Sequence, residues 1–500
     1  MRNVQPADAP RPQAPEDETP APAAEHLGRR VARGSVWVAA GYGAAQIIRF
    51  GANLVLARLL FPRAFGLMLL VNVCLQGLQL FSDVGIGASI IQHRRSDTAF
   101  VNTAWTVQVV RGFLLWLATF AVAWPAAQLY GEPQLMWMLP VAGLAACMDG
   151  FVSTAIHTAN RDLRMARLQV LDLVVQASAS AIMIAGAWLT RSVWALLAGM
   201  IAASVIRTGL SHVALGGARN RFQWERDAAA SLLHFGKWVF VSSVVTFLAQ
   251  QGDRLVFGKM LPLERLGVYN IALSLVDAPT ALISAISFRV FFPLFSEMRR
   301  TGPDVETAYR RASSSMALLA GAGALALVLA GPLAVQLLYD DRYAEASWIV
   351  RLLALGIWGS SLVHFTASVV LAGGRVKWLA AANAARLVWL LGAVPLAFRQ
   401  WGFEVAIVCV VLADLPRYLF LGLGCRKDGL HIFAGDAWRS LKLGAAAVAG
   451  LLVLELLGAR SVPAVGAACV VGLAVWLAGN REPARWYLDK VRNALAARRG

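Results

Sequence analysis

The sequence predicts an all-α polytopic membrane protein of about fourteen spanning helices, on three observations. Hydrophobic side chains make up 58% and charged ones only 15% of 500 residues, whereas a soluble chain is about a quarter charged. Apolar segments of about 20 residues, the length that crosses a bilayer, recur from Ser35 nearly to the carboxyl end. Basic residues also concentrate in alternate connections, the signature of membrane topology.

The net charge of +17 is spread over short loops and forms no single patch. It reads as positive-inside topology and attraction to anionic membrane lipids, with no nucleic-acid partner. Of five cysteines, Cys74, Cys147, Cys409 and Cys469 lie inside apolar runs and Cys425 beside a basic loop. They form neither a CxxC pair nor a metal pattern, so no disulfide, metal or cofactor is expected.

Residues 1–33 read as a disordered cytoplasmic tail. The first 26 or so are rich in Pro and Ala, with Glu16, Asp17 and Glu18 clustered, and no apolar core follows closely enough for a cleavable signal. Spans are then centred near residues 46, 77, 111, 146, 179, 203, 247, 277, 323, 359, 389, 413, 450 and 470. They divide into a six-helix bundle over 34–215, a cytoplasmic linker over 216–234 and a second bundle over 235–425. A cytoplasmic loop and extra helix pair follow over 426–480, then a basic cytoplasmic tail over 481–500. One set of connections carries most of the arginines, from Arg29, Arg30 and Arg33 through Arg299 and Arg300 to the tail. The other holds few, among them Arg58, Arg63, Lys259 and Arg342, with Glu132, Asp340 and Asp341. That imbalance puts both termini in the cytoplasm.

A shift of 201 residues lays Trp37 on Trp238, Arg58 on Lys259, Leu60 on Leu261 and Gly66 on Gly267, with Pro62 and Pro262 nearly superposed. Such a repeat predicts two parallel halves, related by an axis along the membrane normal, around a central cavity. The extra pair is Ala- and Gly-rich, which favours close packing. In the tail, Trp486, Tyr487, Val491 and Leu495 lie opposite Arg485, Lys490 and Arg492, as in a helix on the inner leaflet or an ordinary solvated one.

The most specific stretch is Leu54 to Gln92. Its turn, Arg58 to Gly66, reads as a helix, a tight hairpin and a second helix, because Pro62 cannot continue a helix and Gly66 admits a close approach. The second helix breaks at Asp83, Gly85 and Gly87. The pattern R-L-L-x-P-x-x-F-G, then D-x-G-x-G-A-S-I-I-Q, resembles the amino-terminal signature of the polysaccharide transporter family. These are the Wzx-type flippases of lipid-linked oligosaccharides, relatives of lipid II flippases and MATE exporters. The resemblance implies a MATE-like fold, two six-helix bundles around a cavity plus two carboxyl-terminal helices. It also implies a non-enzymatic flippase of the bacterial inner membrane, moving undecaprenyl-pyrophosphate-linked oligosaccharide repeat units to the periplasmic leaflet for O-antigen, capsule or exopolysaccharide. The partners implied are the lipid-linked substrate and the polysaccharide polymerase and chain-length machinery.

An Arg or Asp at mid-bilayer costs about 2.5 to 3.5 kcal/mol even on the lenient insertion scale, so charges within spans are the candidates. Arg49 and Arg254 lie deepest, with Arg111, Arg386 and Arg207 behind them, as substrate-binding residues of a hydrated cationic chamber. Guanidinium binds phosphate bidentately and keeps its charge when partly desolvated. Against this, each arginine pairs with a nearby acid as a clamp or snorkels to an interface. Asp83, Asp253 and Asp277 are the gating or ion-coupling candidates. Asp83 alternatively caps the glycine break, Asp277 precedes the bend-permitting Pro279, and Asp253 points about 100° from Arg254 on a helix. His364 is a titratable group inside a span or simply a packing residue.

No G-x-x-x-x-G-K-[ST] occurs, so the chain carries no P-loop for ATP. The outer connections are too short for a catalytic domain, so no enzyme is expected. Two transport readings stand, the flippase and a MATE-like exporter of small molecules. A polymerase or ligase acting on lipid-linked sugars, and a scaffold for a synthesis complex, are the readings from other classes.

Overall fold

The computed structural model describes residues 22–82, 98–161, 165–215, 220–301, 305–458 and 461–480, and among these there is no strand. The first half comprises α1 (Pro22–Leu59), α2 (Pro62–Phe81), α3 (Thr98–Tyr130), α4 (Leu135–Gly150), the short α5 (Ala155–Arg161), α6 (Met165–Thr190) and α7 (Trp194–Val213). The second comprises α8 (Arg226–Met260), α9 (Leu263–Ile286), a π turn over Ser287–Phe291, α10 (Phe292–Thr301), α11 (Val305–Leu338), α12 (Ala346–Ala372), α13 (Val376–Trp401), α14 (Phe403–Leu412) and α15 (Asp414–Arg426). The last pair is α16 (Phe433–Leu456) and α17 (Val462–Gly479).

Eleven helical segments among the described residues are long and apolar enough to cross a membrane, and α4 is a shorter apolar helix. With α1 and α8, these segments contain every expected span centre, the twelfth at the joint Ala413 between α14 and α15. The chain is therefore an all-α, multi-pass membrane protein.

Two boundaries differ from expectation. Helix α1 begins at Pro22, taking in residues 22–33 that read as tail, and α8 begins at Arg226, within the expected linker. Both added stretches are rich in Ala and Leu, which favour helix, and proline is tolerated in a first turn. The glycine break after α2, including Asp83, and the tail over 481–500 lie outside the described residues.

The 201-residue repeat reappears as a spatial pairing. A Cβ built on Gly66 would stand 2.2 Å from the Leu263 carbonyl oxygen, and one on Gly267 would stand 1.8 Å from that of Pro62. Pro62 and Leu263, like Gly66 and Gly267, are 201 positions apart. Helices α2 and α9 thus cross backbone to backbone on the repeat's own symmetry axis, which only glycine permits at both positions.

Around this crossing each half grips the other. Arg58, at the end of α1, donates to the Leu338 carbonyl ending α11, while its repeat mate Lys259, near the end of α8, donates to Leu129 near the end of α3. Basic groups at helix carboxyl ends meet the orphan carbonyls and the dipole there. Within each half, Arg63 pairs with Glu132 at 3.1 Å and Arg265 with Glu345 at 2.9 Å, tying the first turns of α2 and α9 to a neighbouring connection. Arg342, paired with Asp340, also donates to the Ala57, Arg58 and Leu60 carbonyls of α1. The hydrogen bond from Arg342 holds the Asp340 carboxyl below its ordinary range. A depressed carboxyl stabilises above its unfolded pKa, so this clasp holds at neutral pH and weakens only as acidification passes the lowered value.

At the opposite end the linker is strapped down. Residues 220–225 are extended and not helical, and their amides at Arg221, Gln223 and Glu225 donate to Asn102 Oδ1, Thr106 Oγ1 and Thr103 Oγ1 of α3, at 3.0 to 3.2 Å. Alternate amides of an extended chain point the same way, so one helix face can hold all three. Asn220 bonds Ser153 and Thr154, and Phe222 stacks on Trp105. The double substitution Thr103→Val and Thr106→Val removes two acceptors. Limited proteolysis should then nick the linker at least several-fold faster, with the helical core intact; an unchanged rate would contradict the strap.

Candidate functional site

The polar centre at the junction of the halves is built on four helices. On α8, Arg254 donates from Nη1 to Gln251 Oε1 at 2.6 Å and from Nη2 to Asp277 Oδ2 of α9 at 3.1 Å. Gln251 in turn donates to Gln76 Oε1 of α2, in the other half. One turn before Asp277, Ser274 accepts from Asn53 of α1 at 3.3 Å. The Asp277 side chain is 58% exposed and that of Arg254 21%. Arg254 lies within two turns of the end of α8 and Asp277 midway along α9, and an ion pair left accessible on two membrane helices requires water beside it, since hydrocarbon would not solvate it.

The four helices meet on the repeat axis, and their key positions are repeat mates. Adding 201 takes Asn53 to Arg254 and Gln76 to Asp277. The second half carries a charged pair where the first carries neutral amides.

Asp253 and Arg254 behave as their helical separation predicts and do not pair. Asp253, 4% exposed, accepts from Tyr269 at 2.6 Å inside the second half. Asp253 is thus a packed structural acid, and Asp277 is the acid that faces the junction.

The remaining arginines do not meet at this centre. Arg111 donates to Ser82 Oγ and to the Gln79 carbonyl, closing the carboxyl end of α2. Arg207 pairs with Asp172 at 2.8 Å within the first half. Arg49 is exposed on α1 and makes no hydrogen bond among the described residues. Arg386 donates to Asp414, which also faces Arg417 at 3.8 Å and accepts from Ser360 at 2.6 Å. This second cluster lies wholly within the second half, with Asp414 at one edge of an apolar pocket of about 390 Å³ lined by Leu352, Leu355, Leu362, Val408 and Val411. His364, near the cluster, packs its ring edge-on against Phe288. Among the described residues, no group of acidic, His or Cys side chains could hold a metal ion.

A family model described as a polysaccharide biosynthesis protein matches residues 55–348, more than half of the chain. The chain belongs to this family. The match begins inside the amino-terminal signature, in agreement with the resemblance to Wzx-type polysaccharide transporters, and takes in Gln76, Gln251, Arg254 and Asp277 but neither Arg386 nor Asp414. The amylovoran biosynthesis protein AmsL of Erwinia amylovora is 25% identical over 294 residues, 58% of this chain and 76% of that one. The succinoglycan biosynthesis transport protein ExoT of Rhizobium meliloti (strain 1021) is 22% identical over 309 residues, and the match spans 62% of each chain.

Among solved structures, the lipid II flippase MurJ in an inward closed conformation aligns with a TM-score of 0.72 at 10% identity, over 92% of this chain and 100% of that one. An inward-facing multidrug resistance MATE family transporter aligns with a TM-score of 0.52 at 13% identity, over 81% and 94%. The family's fold here is thus MATE-like, two helical bundles with a carboxyl-terminal pair appended.

None of the three amides of the centre, Asn53, Gln76 and Gln251, was among the residues singled out by charge, and nor was Ser274; Arg417 was not singled out either. A scan for charges in spans passes over neutral polar groups. One signal marks Asn53 and Gln76 nonetheless, their registration on Arg254 and Asp277 through the 201-residue shift.

Proposed function

We propose that the protein is a flippase of undecaprenyl-pyrophosphate-linked oligosaccharide repeat units, carrying them from the cytoplasmic to the periplasmic leaflet of the bacterial inner membrane. The observation that supports it best is the solvent-open Arg254–Asp277 pair on the repeat axis, between the halves of a MATE-like fold. Sugar hydroxyls stripped of hydrogen bonds in hydrocarbon cost about 2 to 7 kcal/mol each. A hydrated passage between the halves removes that barrier while the polyprenyl tail stays in apolar surroundings. Arg254, already held by Gln251 and Asp277, supplies a fixed guanidinium for the pyrophosphate.

By the positive-inside pattern, both termini and the strapped linker are cytoplasmic and the α1–α2 and α8–α9 hairpins periplasmic. The grips of Arg58, Lys259 and Arg342 then close the periplasmic end, and alternating access requires their release. The names of AmsL, an amylovoran biosynthesis protein, and ExoT, a succinoglycan biosynthesis transport protein, agree with this reading. A polymerase and chain-length machinery would act on the delivered units. A MATE-like exporter of organic cations fits less well, because Arg254 repels a cation at the junction.

The test is polymer export in cells whose only copy carries Arg254→Ala at normal membrane abundance. Export should fall at least tenfold, with the lipid-linked repeat unit accumulating on the inner leaflet. Unchanged export would overturn the reading.

A further inference from the structure

Helix α2 is one of the most enclosed spans, with residues 64–71 all buried. Between Arg63 and the end of α2, its exposed positions are Asn72, Gln76 and Gln79. Their spacing of four and three residues puts them within about 60° of one another on an α-helix. Gln76 reaches Gln251 in the opposite half, so the stripe faces the junction and not lipid. The side-chain amides of Asn72 and Gln79 make no hydrogen bond among the described residues. The repeat mates of the three on α9 are Leu273, Asp277 and Thr280, so the amide stripe belongs to the first half alone.

The geometry points to this stripe as the surface that recognises the saccharide, with the anionic linkage held across the passage by Arg254. This division of labour rests on the flippase reading above. A side-chain amide carries two donors and an acceptor with no net charge, matching hydroxyls that both donate and accept. An unmatched buried amide is costly, so such a surface selects among sugars as well as binding them. Arg254 provides the opposite: a fixed positive charge, oriented by Asp277, suited to an anion and indifferent to the glycan. Specificity for the repeat unit therefore resides in α2, and affinity for the shared pyrophosphate carrier in α8.

The test uses the purified full chain in proteoliposomes and two probes, its polyprenyl-pyrophosphate-linked repeat unit and the same carrier bearing one sugar. Wild-type protein and an Asn72→Ala, Gln79→Ala double variant are compared by the ratio of the two translocation rates, a quantity independent of how much protein is folded. The double variant should lose about tenfold on the oligosaccharide and less than twofold on the monosaccharide. An unchanged ratio, whether both rates fall together or neither does, overturns the assignment of recognition to α2. Failure of the wild type to move either probe removes the flippase reading itself, and this inference with it.

Discussion

Gly267→Ala should be among the most damaging single-methyl changes available to this chain. The new Cβ would stand 1.8 Å from a backbone oxygen, that of Pro62, and no side-chain rotation relieves such a clash. Overpacking costs about 1 to 3 kcal/mol where neighbours can yield, and here both neighbours are helix backbones, so the upper end or beyond is expected. Gly66→Ala should behave likewise through Leu263. Thermal unfolding in detergent should therefore fall by several degrees for either variant. Gly323→Ala, with nothing within 4 Å of its new methyl, provides the control. It should be neutral or gain up to about 1 kcal/mol from helix propensity. Equal behaviour of the three would mean that the two halves do not cross at Gly66 and Gly267.

The second large effect is expected at Asp414, which lies between Arg386 and Arg417 and is 6% exposed. Asp414→Ala leaves two guanidinium groups without their acid. Breaking a buried pair in this way costs about 3 to 5 kcal/mol, whereas replacing both partners with apolar groups is often close to neutral. Membrane abundance and thermal stability should drop sharply in the single variant and recover in part when Arg386→Met is added. No recovery would show that Asp414 acts through Arg417 or Ser360 and not through Arg386.

These results would also explain why Arg386, a substrate-binding candidate from the sequence, is held as a clamp. Arg386 and Arg254 look alike in a hydropathy scan, each a base inside an expected span. What separates them is the neighbour across space. Arg386 meets Asp414 and Arg417 inside its own half, while Arg254, besides Asp277, meets an amide chain leading to the other half. Sequence spacing cannot supply that contact, because Asp414 and Gln76 lie on helices that only tertiary packing brings near.

The fold was much more legible. Span positions follow from apolar length alone, and the hairpin from Pro62 and Gly66. The repeat was visible in a handful of identities, one of which, Gly66 on Gly267, turned out to make the crossing itself. The candidate centre sits on that same axis at positions where the halves differ, Asn53 against Arg254 and Gln76 against Asp277. A search for identity between the halves finds the scaffold and misses the site, because division of roles between halves appears as difference.

The central claim, that a lipid-linked oligosaccharide crosses between the halves past Arg254, is tested most directly by leaflet-resolved translocation of that substrate in proteoliposomes. Wild-type protein is compared with Arg254→Ala after matched thermal stability is verified. The account predicts translocation by the wild type and at least a tenfold lower rate for the variant. Equal rates would contradict it.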